Sequence, residues 1–196
     1  MPPKQKFTRE EILAASLAIT RREGIAGITA RSLAAELNSS PRPIFTVFHD
    51  MEEVQQETIQ SAKALYNQYV QQGLTAKPAF KGVGIAYIRF ATEEPKLFQL
   101  LFMTENGAAP NLSDVLSIID ENNRQILQTV QDEYALNARD AHKLYLELWI
   151  FTHGIAALLA TGVCRFTEEE VNRMLTDVCM GLLLKLKKQP EETNHD

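Results

Sequence analysis

The residues with the clearest chemistry lie between Thr29 and His49, where residues 29–48 read TARSLAAELNSSPRPIFTVF. Arg42 carries a planar guanidinium whose fork fits either the O6/N7 edge of a guanine or the oxygens of a phosphate. Just before it, Ser40 is placed to cap a short helix whose first residue is Pro41, the first-turn position that proline favours. A helix opened in this way turns free N–H groups and a positive dipole end outward, which suits an anion. Pro43 has no N–H, so Ser40 can cap only through the amide of Arg42. Trp149 and His153 form a second constellation, four residues apart and so on one face of a helix. They are either the wall and polar handle of a ligand pocket or a buried imidazole bonded to a neighbour. Catalytic and metal chemistry find no support. Cys164 and Cys179 lie far apart with no histidine near either, which is not a zinc pattern, and they read as small apolar residues. No pair of Glu-x-x-His motifs supports a di-iron bundle, and no Gly-rich phosphate loop, H-E-x-x-H or G-x-S-x-G is present. We expect no catalytic residue, no metal and no cofactor.

Holding Arg42 in place requires two short helices at a steep angle. Residues 29–48 provide them: a helix from Thr29 to about Leu37 with Leu33, Ala34 and Leu37 inward, a tight turn at Asn38-Ser39, and a third helix from Pro41 to near His49. Such a helix-turn-helix lays its second helix in the major groove of double-stranded DNA. The first helix opens at Thr8 with a capping box, Thr8-Arg-Glu-Glu11, stapled by Phe7 on Ile12, and closes at Gly24. Asp50-Met-Glu-Glu53 opens a long fourth helix to about Gly73. Further helices are expected over 79–93, 95–103, 113–134, 138–162 and 167–188, the last capped by Thr167 and Glu170. Sustained period-2 alternation is absent, so the fold is all-α with about nine helices. The domains read as 1–50, a linking helix 51–73, a second domain 74–188, and a polar, disordered tail 189–196. The stretch 107–110 reads as a loop.

The 196 residues, 45% of them hydrophobic, suffice for a real core. Net charge is −5, but residues 1–50 carry seven basic and five acidic groups, so a mildly basic head precedes an acidic body. No uninterrupted apolar run reaches the ~20 residues that span a bilayer, and the first residues lack an apolar signal core. We expect a cytoplasmic protein with no membrane partner.

The register from Thr8 to Val54 resembles the tetracycline-repressor family. Those regulators read T-R-E-x-I-L-x-A-A, then G-x-x-x-x-T-x-R-x-I-A, then S-x-G-x-L-Y-x-H-F. Here Thr8-Arg9-Glu10-Glu11-Ile12-Leu13-Ala14-Ala15, Gly24, Thr29, Arg31, Leu33, Ala34, Ser40, Ile44, Phe45 and Phe48 fall in step. The resemblance implies phosphate contacts by Thr29 and Arg31, with Thr29 also an N-cap. It implies that Ser40, Pro41, Arg42, Phe45 and Thr46 face DNA, and that His49 reaches a phosphate. Phe48 reads as core. Lys4, Lys6 and Arg9 read as a DNA-reaching arm or as a solvated basic end. The departures are Asn38 for the turn glycine, Pro41-Arg42-Pro43 for Lys-Gly-Thr, Phe45 for tyrosine, Val47 for histidine and Met51 for lysine. Two usual phosphate donors are therefore missing.

Residues 87–102, YIRFATEEPKLFQLLF, and Trp149-x-x-x-His153-Gly154 are similar to the C-terminal half of one subgroup of that family. The resemblance implies an effector and dimerisation domain. Phe90, Phe98, Leu101, Phe102, Tyr145, Trp149 and His153 then line a pocket for a small ligand or build an ordinary core. Phe151, Ile155, Leu158, Leu159, Met174, Val178 and Leu182 lie on the apolar faces of the last two helices, which form a homodimer interface or pack internally. The implied function is a dimeric regulator, a repressor released from a palindromic operator by a small apolar ligand. The alternative is a helical-bundle adaptor that has lost specific DNA binding and acts through protein–protein contacts.

Overall fold

Thr8 starts the first helix. Its hydroxyl accepts from the Glu11 amide, and the Glu11 carboxylate accepts from the Thr8 amide at 2.8 Å, so the capping box closes. Helix α1 (Arg9–Glu23) then runs to Gly24, whose φ of 81° is one that a residue with a Cβ rarely adopts. A 3₁₀ turn, Ile25–Gly27, leads into α2 (Ala30–Glu36), and a second, Ile44–Thr46, follows α2. The chain continues through α3 (Met51–Leu74), α4 (Ala79–Glu93), α5 (Pro95–Phe102), α6 (Asn123–Tyr134), α7 (Ala138–Ala160) and α8 (Glu168–Lys188). The structure is a computed structural model that describes residues 6–104, 111–112, 114–116 and 121–188. Those residues hold α-helices and no strand, in line with the all-α expectation of about nine helices. Lys4, the expected loop at 107–110, parts of the expected helix 113–134 and the expected disordered tail 189–196 lie outside the described residues.

The chain divides into two units by contact. Met1–Gln68 with Glu93–Gly107 make the first, and Tyr69–Thr92 with Ala108–Asp196 make the second. In the first, Ile12 and Ile19 of α1, Leu33 and Ala34 of α2, Ile28, Ile44, Phe48 and Val54 of α3 form one closed core. Ser16 and Thr58 share a 2.7 Å hydroxyl bond inside it, so the polar group on the apolar face of α1 is satisfied. Helix α5 belongs to this unit through its start: Arg21 of α1 donates two N–H groups to the Glu94 carboxylate at 2.7–3.0 Å. Its buried Phe98 lies 5.1 Å from Phe102, which meets Tyr66 edge-on at 5.0 Å.

In the second unit, the Glu133 carboxylate accepts from the amides of Ala79 and Phe80 and so satisfies the start of α4. Phe80 is buried with its ring edge-on to Tyr134 and Tyr145. Helix α7 is long and apolar enough to cross a membrane by length and composition. Its Leu144, Tyr145, Leu148 and Ile155 are buried in this unit. Where α3 ends and α4 begins, the two backbones touch. A Cβ on Gly73 would stand 2.7 Å from the Gly82 carbonyl oxygen, and one on Gly82 would come closer still to Gly73. Gly82→Ala therefore destabilises the protein by about 1–3 kcal/mol despite its better helix propensity, because backbone must move to admit the methyl. Gly84→Ala on the same helix meets only Leu175 at 3.9 Å and leaves stability unchanged or raised. Urea unfolding of the two variants side by side checks this; equal midpoints would refute the close approach.

Candidate nucleic-acid interface

The interface is built from α2 outward. The Thr29 hydroxyl accepts from the Ser32 amide at 3.0 Å and Ser32 Oγ accepts from the Thr29 amide at 2.9 Å, so α2 starts on a closed capping box. Thr29 acts as an N-cap and remains exposed, as does Arg31. At the other end, the Ser39 amide donates to Ala34 O at 2.8 Å and the Asn38 amide to Ala35 O at 3.0 Å. This is a Schellman closure, with Asn38 at φ 47° in the left-handed position. Asparagine tolerates that region, which explains why it can stand at a turn where glycine is usual.

The expected third helix, Pro41 to His49, is not an α-helix. The amides of Ile44, Thr46 and Val47 bond three residues back, to Pro41, Pro43 and Ile44, at 3.0–3.2 Å. Regular structure is confined to the 3₁₀ turn Ile44–Thr46, at whose head Pro43 sits with φ −60°. The cause is local. Pro43 pushes the residue before it, Arg42, away from α geometry. The turn still delivers its side chains. Ile44 and Phe48 enter the core, while Ser40, Pro41, Arg42, Phe45, Thr46 and His49 are exposed. Thr46 spends its hydroxyl proton on Pro43 O at 2.6 Å. Glu53 N–H donates to Asp50 Oδ1 at 2.8 Å, and the Glu53 carboxylate accepts from the His49 amide at 2.6 Å, so the box opening α3 reaches one residue further back than expected.

Arg9 is fixed in the head and is no arm. Its guanidinium holds both oxygens of Glu57 and one of Glu53, donates to Val47 O at 3.2 Å and lies 4.3 Å from the Phe48 ring centroid. Hydrogen bonds to Glu57 and then Glu53 raise the Arg9 pKa further above its ordinary value. The Glu53 carboxyl is held low, first by the His49 amide and then by Arg9; the Glu57 carboxyl is held low by Arg9. The residue thus ties α1 to α3 and to the end of the 3₁₀ turn Ile44–Thr46. Lys6 Nζ donates to Ser39 Oγ at 2.9 Å, beside the α2 turn.

The candidate ligand residues fall in both units. Phe98, Leu101 and Phe102 belong to the first; Phe90, Tyr145, Trp149 and His153 to the second. Phe90 is buried with Tyr69 edge-on at 5.2 Å. Trp149 stacks on His153 at 5.2 Å, and His153 Nδ1 shares a 2.9 Å hydrogen bond with the Tyr87 hydroxyl. Tyr87 as the partner escaped the sequence reading, since nothing local links positions on two different helices. Burial lowers the His153 pKa below its ordinary value. The folded protein thus binds this proton less readily than the unfolded chain. Its contribution to stability is present above about pH 6.5 and is lost as pH falls through that value toward the depressed folded pKa. His153→Gln should flatten this part of the thermal-midpoint profile between pH 7.5 and 5.5; an unchanged slope would count against the assignment. Of the candidate interface residues, Leu158 is exposed, Phe151, Leu159, Met174, Val178 and Leu182 are half-buried, and Ile155 is buried within the chain.

Comparison with known proteins places this geometry. The family model described as "Tetracyclin repressor-like, C-terminal domain" matches residues 80–180. No curated protein matches the sequence significantly. Among solved structures, a TetR-like transcriptional regulator from Rhodococcus sp. RHA1 is similar in fold, with a TM-score of 0.61 and 12% identity over 92% of this chain and 96% of that one. A fatty acid degradation regulator from Bacillus halodurans is similar with a TM-score of 0.57 and 12% identity over 95% and 96%. The helical fold agrees with this match over more than half of the sequence, and the chain belongs to the tetracycline-repressor-like family of transcriptional regulators.

Proposed function

We propose that this regulator binds a palindromic operator in double-stranded DNA as a homodimer in the cytoplasm and acts as a repressor that a small apolar ligand releases. In this reading residues 1–50 are the DNA-binding head, 51–73 the linking helix and 74–188 the effector and dimerisation domain. The observation that carries it is the exposed row on the recognition turn, with Arg42, Phe45, Thr46 and His49 outward over a closed apolar core. One such turn reads few base pairs, so two copies a helical turn apart supply the discrimination. Supporting the dimer, α7 leaves Ile150 and Leu158 exposed and α8 leaves Met180 and Leu184 exposed, apolar groups suited to a four-helix junction between two copies. The ligand would be accepted among the apolar side chains of the second unit, with Tyr87, Trp149 and His153 as its polar handle.

Selection of bound duplexes from a random pool, with molar mass measured by light scattering, tests this. A palindrome bound by a particle of twice 22.1 kDa is expected. Affinity no better for the enriched pool than for random duplex would overturn the reading in favour of an adaptor acting through protein contacts.

A further inference from the structure

In the recognition turn the amides of Ile44, Thr46 and Val47 bond three residues back, and at three residues per turn the side chains at i and i+3 eclipse. Ile44 and Val47 form one row, with Ile44 buried and Val47 packed against the same core. Arg42 and Phe45 form another row, and both are exposed. Phe48 leaves that row for the core because its amide returns to a four-residue bond, Phe48 N to Ile44 O at 3.0 Å. A guanidinium and a phenyl ring are thus both exposed, three residues apart, on this segment.

The ring is 45% exposed and has no hydroxyl, so it cannot donate to a phosphate. What it can meet in a major groove is the 5-methyl of thymine, the one apolar group on those base edges. Phe45 follows Arg42 by three residues, a separation along the segment that suits the base-pair step of about 3.4 Å beside the pair that Arg42 addresses. We infer that Phe45 is a specificity-determining residue that packs on the 5-methyl group of a thymine in the base pair neighbouring the guanine read by Arg42. The inference rests on the DNA-binding reading above.

The test uses the full chain and the operator that it selects. Each thymine of a half-site is replaced in turn by deoxyuridine, which removes the methyl and leaves the hydrogen-bonding edge intact. Wild-type affinity should fall several-fold at one position beside the guanine, and Phe45→Ala should bind the thymine and deoxyuridine duplexes equally there. Phe45→Leu should keep part of the methyl dependence, and 5-methylcytosine paired with guanine at that position should be preferred over cytosine by wild type and not by Phe45→Ala. Unchanged wild-type affinity at every deoxyuridine would overturn the inference, as would full methyl dependence in Phe45→Ala. Failure of wild type to select any operator would instead bring down the DNA-binding reading and this inference with it.

Discussion

Arg42→Ala should weaken operator binding by about 1–3 kcal/mol per half-site, and by roughly twice that for a dimer using both copies. The size follows from what the side chain has to offer. Arg42 is exposed, and it stands between two prolines that fix the local backbone. A fork held on a stiff turn loses little freedom when it pairs, so little of the interaction is consumed in ordering it. The pattern of loss decides what Arg42 touches. If it reads guanine, affinity for the operator falls while affinity for random duplex is nearly kept, and base preference relaxes at one position. If it touches a phosphate, both affinities fall together and the salt slope drops by about one per protomer. Titrations of wild type and Arg42→Ala at three salt concentrations, on operator and random duplex, separate the two. An unaltered operator affinity would remove Arg42 from the interface.

Phe48→Ala should cost about 3–5 kcal/mol of the first unit's stability, the range for deleting a fully buried aromatic. Phe48 is 2% exposed, packed on one side against Ile12, Ile44 and their neighbours in the core and covered on another by the Arg9 guanidinium. Its loss therefore leaves a cavity and also strips Arg9 of the surface on which it lies, while Glu53 and Glu57 still hold it. Against the roughly 5–15 kcal/mol available to a small domain, that is a large share. Phe48→Leu keeps most of the volume and should cost under ~1.5 kcal/mol. Urea unfolding followed by circular dichroism checks both. A Phe48→Ala loss below that of Phe48→Leu would contradict the core placement.

What could be read from the sequence was local. The capping boxes at Thr8 and Thr167 form as their spacing implies, because each involves residues within one turn. Asn38 and Gly24 sit where the chain needs a left-handed residue, and their type announces it. The third helix shows two local rules in conflict: Ser40 and Pro41 read as a helix start, while Pro43 disfavours α geometry at Arg42, and the segment forms a 3₁₀ turn. Other features were illegible for a different reason. Arg9 meets Glu53 and Glu57 across two helices, and His153 finds Tyr87 across two others. Such pairs come from tertiary packing, and no periodicity encodes them. Arg21 and Glu94 likewise place α5 with the first unit, a grouping invisible in a linear reading of linkers.

The proline-framed recognition turn carries a thermodynamic consequence. A segment that folds as it meets its target adds the signature of its own ordering to the heat of association, visible as a steep temperature dependence of the binding enthalpy. Here Pro41 and Pro43 have spent that entropy in advance, and Ile44 and Phe48 anchor the segment from below. The calorimetric profile of operator association should therefore reflect the surface that the partners bury and the water and ions they displace, with no contribution from building the reader itself.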